Sequence, residues 1–461
     1  MEKVEFSFQD FYPEVWAFMG QIMLLLGFLV LGNLLRRSIP FLRKLFIPSS
    51  LIGGVLLAVV GLIVKAISPD VYASFIDKEM MKVITYHALA IGFIAMTLKV
   101  SNKENKKGLG SLSIQNGLIT GATYMLQAVF GILTVFVFVW AGAKISNKSG
   151  FILPLAFGQG PGNAMNWDLN FKIADGSFGL ALASIGFIVA SVVGVIYINI
   201  YKRKGQIVRS DAVIERRVEE FVEEHEIEDS DSVDKLSIQL GIVAICYAMT
   251  LGIMIALSFT QFTKQIVWGF NFIFGVISAT LVKAFLVFLR KKKVIKHKYI
   301  NNYQMDRISG FSFDLMIIAG VAAIKFDQIK DYIWVLIALT IVGTIVTFLF
   351  VKFMTKHCFK GIEHNMFLVN FGTLTGTASN GMILLREVDS TFETKSSDIF
   401  VISQFPAMIG VAPLLLILGP VLNGNLHPLI AMGIFAALAV VYVVIILLLA
   451  RMLRKKQENQ V

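Results

Sequence analysis

Cysteine is nearly absent: the 461 residues hold two, Cys246 inside an apolar run and Cys358 in a basic loop, which leaves no disulfide framework. Charge is sparse as well, at 16% of residues, and none of the six histidines belongs to an HExxH pair. There is no GxxxxGK[ST] phosphate loop and no GxGxxG behind a strand-like run, so neither an ATP-driven pump nor a dinucleotide enzyme fits. No positioned nucleophile, acid and base stand together. Only His87 and Asp314 are ionisable candidates for enzyme chemistry, and the chain is read as a non-enzyme.

What the chain has instead is apolar residue: 56% of the total, with a mean hydropathy of +0.73. That excludes an ordinary soluble domain of this length. Apolar runs long enough to cross about 30 Å of hydrocarbon recur between charges and turn residues. Crossings are expected near residues 16–35, 46–66, 81–98, 112–141, 177–201, 236–259, 266–289, 308–325, 332–352, 399–420 and 428–450. The first has no basic start or small-residue cleavage site and is expected to be retained. The net charge of +11 comes from short basic clusters at the ends of these runs, which suits anionic headgroups rather than nucleic acid. With the amino terminus outside, the inside segments carry 31 of the 42 Lys and Arg and the outside segments carry 10. The positive-inside rule therefore puts the amino terminus outside and the carboxyl terminus, with its RMLRKK run, inside.

Two ten-residue stretches interrupt the apolar pattern. FGQGPGNAMN (Phe157 to Asn166) and FGTLTGTASN (Phe371 to Asn380) align without a gap and share Phe, Gly, Gly, Ala and Asn. Gly, Pro, Thr and Asn make poor uninterrupted helix, and unwound backbone at membrane depth survives only inside protein or beside a wet cavity. In the expected topology the first stretch enters from outside and the second from inside. The fold expected is an all-α polytopic membrane protein of about eleven transmembrane helices in two inverted-topology repeats, each with a glycine-rich re-entrant hairpin. The first repeat covers 1–201 with its hairpin near 151–170. An acidic linker follows at 202–235, then the second repeat at 236–425 with its hairpin near 363–386, and an extra helix with a basic tail at 426–461. A weaker match of His87–Lys99 to Phe313–Lys325, which run in opposite directions, supports the same pairing. The linker, with eleven Asp and Glu between 211 and 234, is read as a solvated tether with room for one short amphipathic helix.

Paired unwound segments point to a secondary transporter, because half-helix amino ends attract carboxylates and freed carbonyls hold a dehydrated sodium ion. Gly158, Gly160, Pro161 and Gly162 form the first break, with Gln159, Asn163 and Asn166 as hydrogen-bonding groups. Gly372 and Gly376 form the second, beside Thr373, Thr375, Thr377, Ser379 and Asn380. The competing reading is that these small residues only let helices pack, as GxxxG pairs do. Asp314 is a candidate cation or proton site, or an interfacial residue. Arg386 is a candidate carboxylate partner, or pairs with Glu387 or Asp389. His87 reads as a hydrogen-bonded helix residue and Lys283 as snorkelling to the headgroups. An ion channel with filter loops is the alternative from another class.

The paired segments, the outside amino terminus and the inside central loop resemble the bacterial sodium/glutamate symporter family, over nearly residues 16–420. The resemblance implies sodium-coupled glutamate symport in the bacterial plasma membrane, by a homodimer whose hairpin-bearing part moves against a scaffold. It also implies that Gly158, Gly160, Gly162, Asn163, Gly372, Thr375, Gly376, Thr377 and Asn380 hold substrate and sodium. The polar, proline-containing GQGPGN loop and the charged block at 386–398 depart from the family pattern, so a different organic anion stays open as cargo. No cofactor and no structural metal are expected; sodium enters as the coupling ion.

Overall fold

A computed structural model describes residues 13–68, 75–99, 109–206, 235–259, 264, 267–268, 271–295, 299–389 and 394–458. The expected linker helix lies outside the described residues. The described chain is helical with no strand, as hydrocarbon demands of a spanning backbone that must satisfy its own N–H and C=O groups. The helices used below are α1 (Pro13–Ser38), α2 (Ser49–Ile67), α3 (Lys78–Leu98), α4 (Gly110–Trp140), α5 (Ile152–Gln159), α6 (Pro161–Phe171), α7 (Ser177–Arg203), α8 (Lys235–Leu257), α9 (Asn271–Lys291), α10 (Asn302–Ala323), α11 (Ile333–Cys358), α12 (Glu363–Thr375), α13 (Ala378–Arg386), α14 (Ser396–Leu422) and α15 (Pro428–Glu458).

Among the described residues ten helices are long and apolar enough to cross a membrane, as in a polytopic membrane protein. The expected crossing at 308–325 forms as α10, but Asn302, Gln304, Asp306, Arg307 and Asp314 keep it out of that ten. Large apolar side chains face outward along the spans, among them Leu349, Phe405 and Leu416, which is the surface lipid accepts. Four of the five tryptophans, Trp16, Trp140, Trp268 and Trp334, are exposed. Indole rings favour the interfacial level of a membrane.

Two groups of helices build the molecule. In one, α3 and α10 run antiparallel, with Gly92 under the Phe313 ring, Lys99 paired to Asp306 at 2.5 Å, and Lys325 paired to Glu79 at the other end at 2.9 Å. Against this pair lie α2, through Gly53 and Gly54, and α9, through Gly275. In the other, α4 packs on α14 where Gly117 meets Pro406 and Gly121 meets Gly410, a small-xxx-small contact that brings the backbones together. The helices α11 and α15 also pack on α4. Of the short helices, α5 and α12 pack on this second group, α13 on α12, and α6 on α5, α3 and α10, and α7 touches all four.

His87 is exposed and shares a hydrogen bond with the Tyr247 hydroxyl of α8. Lys283 does more than snorkel: its ammonium donates to the carbonyls of Thr97, at 3.1 Å, and Lys99, and so caps the carboxyl end of α3. Cys246 is buried and Cys358 half-buried, with no disulfide between them.

Candidate functional site

Both glycine-rich stretches are helix–break–helix. After α5, Gly160 takes φ of +82°, where a side chain is strained, and Pro161 opens α6 with a ring that needs no N–H partner. The chain doubles back, since the rings of Phe151 before α5 and Phe171 at the end of α6 lie 6.0 Å apart. The second break falls at Gly376 and Thr377, between α12 and α13. There the limbs press together so closely that a methyl on Gly372 would lie 2.8 Å from the Gly381 Cα. The limbs end within two residues of the expected 151–170 and 363–386.

The tips of the two pairs meet. A Cβ built on Gly160 would lie 3.4 Å from Thr377 Cγ2 and 3.7 Å from Met316 Cε of α10. Around that point, Gln159 hydrogen-bonds the Tyr124 hydroxyl of α4 and accepts from Asn163 Nδ2. Asn163 is fully buried, and its Oδ1 has no hydrogen-bond donor. No side chain caps α6, so the Gly162 and Asn163 N–H groups sit at a bare helix start. Across the junction, Thr377 Oγ1 donates to Asn380 Oδ1 at 2.9 Å. Thr373 and Thr375 turn their hydroxyls back onto the Val369 and Phe371 carbonyls, at 2.7 Å each. Asn166 is buried on α6, and the Ser379 side chain lies outside the described residues.

Several glycines do the work of close approach. Gly158 lies under the Tyr124 ring and Gly162 against Leu89, and Gly376 lets Ala190 of α7 come near. Gly372 is a packing position between α12 and α13, as the GxxxG reading had it for such residues. Pro161 rests near Gly320 of α10.

Two charged candidates stand away from the tips. Arg386 ends α13, nine residues beyond Thr377, and is exposed. Asp314 faces α2, beside Ser50, on the side of α10 away from Met316. Asp168 has a structural role. Fully buried, it accepts the N–H groups of Ala174 at 2.8 Å and Gly179 at 2.9 Å, and so ties α6 to the start of α7.

Sequence reasoning missed the residues of α4 that grip the second pair. Asn116 donates to Ser403 Oγ at 2.8 Å and accepts from Asn370 Nδ2 at 2.7 Å. Gln127 Nε2 donates to Thr347 Oγ1 and to the Leu374 carbonyl, both at 2.8 Å. With Thr120 and Thr123 they make an i, i+4, i+7, i+11 polar stripe along a 31-residue apolar helix, which was the available signal.

Between α6 and α7, Asp175 pairs with Lys82 at 2.7 Å and Lys325 at 2.6 Å, and Glu79 completes the ring. Burial alone would raise the Asp175 carboxyl; hydrogen bonds from Lys325 and Lys82 outweigh it and hold the group below the usual carboxylate range. The same bond from Asp175, helped by Glu79, raises Lys325. Among the described residues no cluster of three His, Cys, Asp or Glu could hold a metal.

No protein-family model matches this chain, and no curated protein matches it.

Proposed function

We propose that this chain is a secondary active transporter that couples sodium to the symport of glutamate or a related small carboxylate by alternating access. The observation that carries the reading is the meeting of Gly160 with Thr377, where two helix breaks come together; by this proposal they approach from opposite sides. In this reading the paired short helices are re-entrant hairpins, one entered from each side of a bacterial plasma membrane. The halves 1–201 and 236–425 are inverted repeats, and α10 is the crossing that brings the total to eleven.

The chemistry available at the junction suits an amino acid. The bare start of α6 offers two N–H groups and the positive pole of a helix to a carboxylate. Asn163 Oδ1, buried and unpaired, offers an acceptor to an ammonium. Neutral groups can be emptied during the return step, whereas a fixed charge in hydrocarbon would cost several kcal/mol. Homodimer assembly, an outside amino terminus and an inside carboxyl terminus complete the proposal.

Radiolabelled glutamate uptake into proteoliposomes, with and without an inward sodium gradient, tests it. Uptake that collapses without sodium, and that unlabelled glutamate suppresses better than aspartate, malate or citrate, is expected. Stronger suppression by another acid changes the cargo, and uptake indifferent to sodium removes the coupling.

A further inference from the structure

The amide of Gln127 is only half satisfied. It lies on α4, fully buried, and both hydrogens of its nitrogen are used, one on Thr347 Oγ1 and one on the Leu374 carbonyl. A carbonyl can only accept, so the nitrogen must face Leu374 and the amide cannot be flipped. That leaves Gln127 Oε1 beside the carboxyl end of α12 with no hydrogen-bond donor. An orphaned buried oxygen is destabilising, and a Leu or Met would fill the same space without that loss.

The surroundings decide what would satisfy it. The helix α12 ends at Thr375 in a glycine, Gly376, with no backbone cap, so its last carbonyls collect at the negative pole of a thirteen-residue helix. The Leu374 carbonyl keeps a second lone pair beyond the bond from Gln127. The Thr375 carbonyl faces α7 at Gly186, where the missing side chain lets the backbones close. Thr347 adds a fully buried hydroxyl from α11. Apart from the Gln127 nitrogen that anchors two of them, the groups that converge here are oxygens, which repel a carboxylate and match a hard cation. The groups on this list are neutral, which favours a monovalent ion over a divalent one, whose sites use carboxylates.

We propose that Gln127 Oε1, Thr347 Oγ1 and the terminal carbonyls of α12 form a binding site for the coupling cation, sodium, with Gln127 both a ligand and the residue that fixes the helix end. The site uses the carboxyl end of α12 and not the bare amino start of α6, so cation and carboxylate occupy opposite helix poles. This inference rests on the transporter reading for the ion's role, but sodium binding can be measured without transport.

The experiment is equilibrium binding of radiolabelled sodium to the purified full chain, with choline or potassium keeping the ionic strength constant. The proteins are wild type, Gln127→Met, Thr347→Val and Thr347→Ser. Gln127→Met and Thr347→Val are expected to weaken sodium binding by about tenfold or more, with Thr347→Ser close to wild type. In proteoliposomes the sodium concentration for half-maximal uptake should rise in proportion, while the glutamate KM at saturating sodium stays put. Wild-type sodium affinity in Gln127→Met overturns the site, as does a fall in maximal rate with both half-saturations unchanged, which marks a packing role. Should Gln127→Met fail to fold, the Thr347 pair decides, and equal affinities for Val and Ser overturn the site. Sodium binding lost on substitution in a protein that moves no carboxylate upholds the site and sinks the cargo assignment. A wild-type protein that binds no sodium sinks both.

Discussion

A methyl group added at Gly186 would sit 2.5 Å from the Thr375 carbonyl, and backbone cannot yield as a flexible side chain can. Gly186→Ala is therefore expected to push α12 away from α7 at a cost of about 1–3 kcal/mol and to abolish most uptake, while the protein still inserts. Transport assays paired with surface quantification check this, and wild-type uptake would show that the close approach is dispensable. Asp168 predicts a different pattern, because its carboxylate serves backbone amides and not cargo. Asp168→Ala should lower the melting temperature in detergent by leaving buried N–H groups unpaired, about 1–3 kcal/mol in all, with the sodium half-saturation of surviving protein unchanged. Glycine spacing made Gly160 and Gly376 legible in the sequence as breaks. It could not separate them from Gly372, whose role is set by Gly381 on the facing limb and emerges only when the two limbs are packed.

At the scale of elements, apolar runs located the long helices among the described residues, since hydrocarbon allows little else, and the breaks fall between the short helices of each pair. The run at 308–325 proved longer and more polar as α10, because part of its polarity is answered by neighbours: Asp306 meets Lys99 and Ser309 Oγ donates to the Gly92 carbonyl at 3.1 Å. Such cross-helix satisfaction is invisible to a window of hydropathy. The grip of α4 on α12 was illegible for a similar reason, as Asn116 and Asn370 are 254 positions apart. For the first pair, Gly160→Ala should be costly because of its positive φ and its nearness to Thr377, and Gly162→Leu because Leu89 fills the space beside it. Both should lose uptake with normal insertion. Thr377→Val, which keeps volume and removes the hydroxyl bonded to Asn380, should instead raise a half-saturation for substrate or sodium. Unchanged kinetics for both ligands would remove Thr377 from the site.

For the whole molecule, Asp175 belongs to the loop joining α6 to α7, while Lys82 and Lys325 belong to the α3–α10 pair, so the ion pairs fasten one helix group to the other. The Asp175 carboxyl is depressed, so its contribution is present above the ordinary carboxylate range and is lost as pH falls through its own lower value. Lys325 is raised, so its contribution is present below the ordinary lysine range and is lost as pH climbs through its higher value. A melting temperature flat through neutrality, falling at both extremes, is expected, and Asp175→Asn should lower the plateau and blunt the acid limb. An unchanged profile in that variant would show that the ring fastens nothing. The helix α7 meets this group's short helices through Gly179 against Ala164, Gly186 against Thr375 and Gly194 against Leu384. One rod thus bears on both helix pairs at once, like a beam shared by the two doors of a canal lock. In the transporter proposed above, shifting it to free one door presses on the other, so a leak with both passages open would require the rod itself to bend.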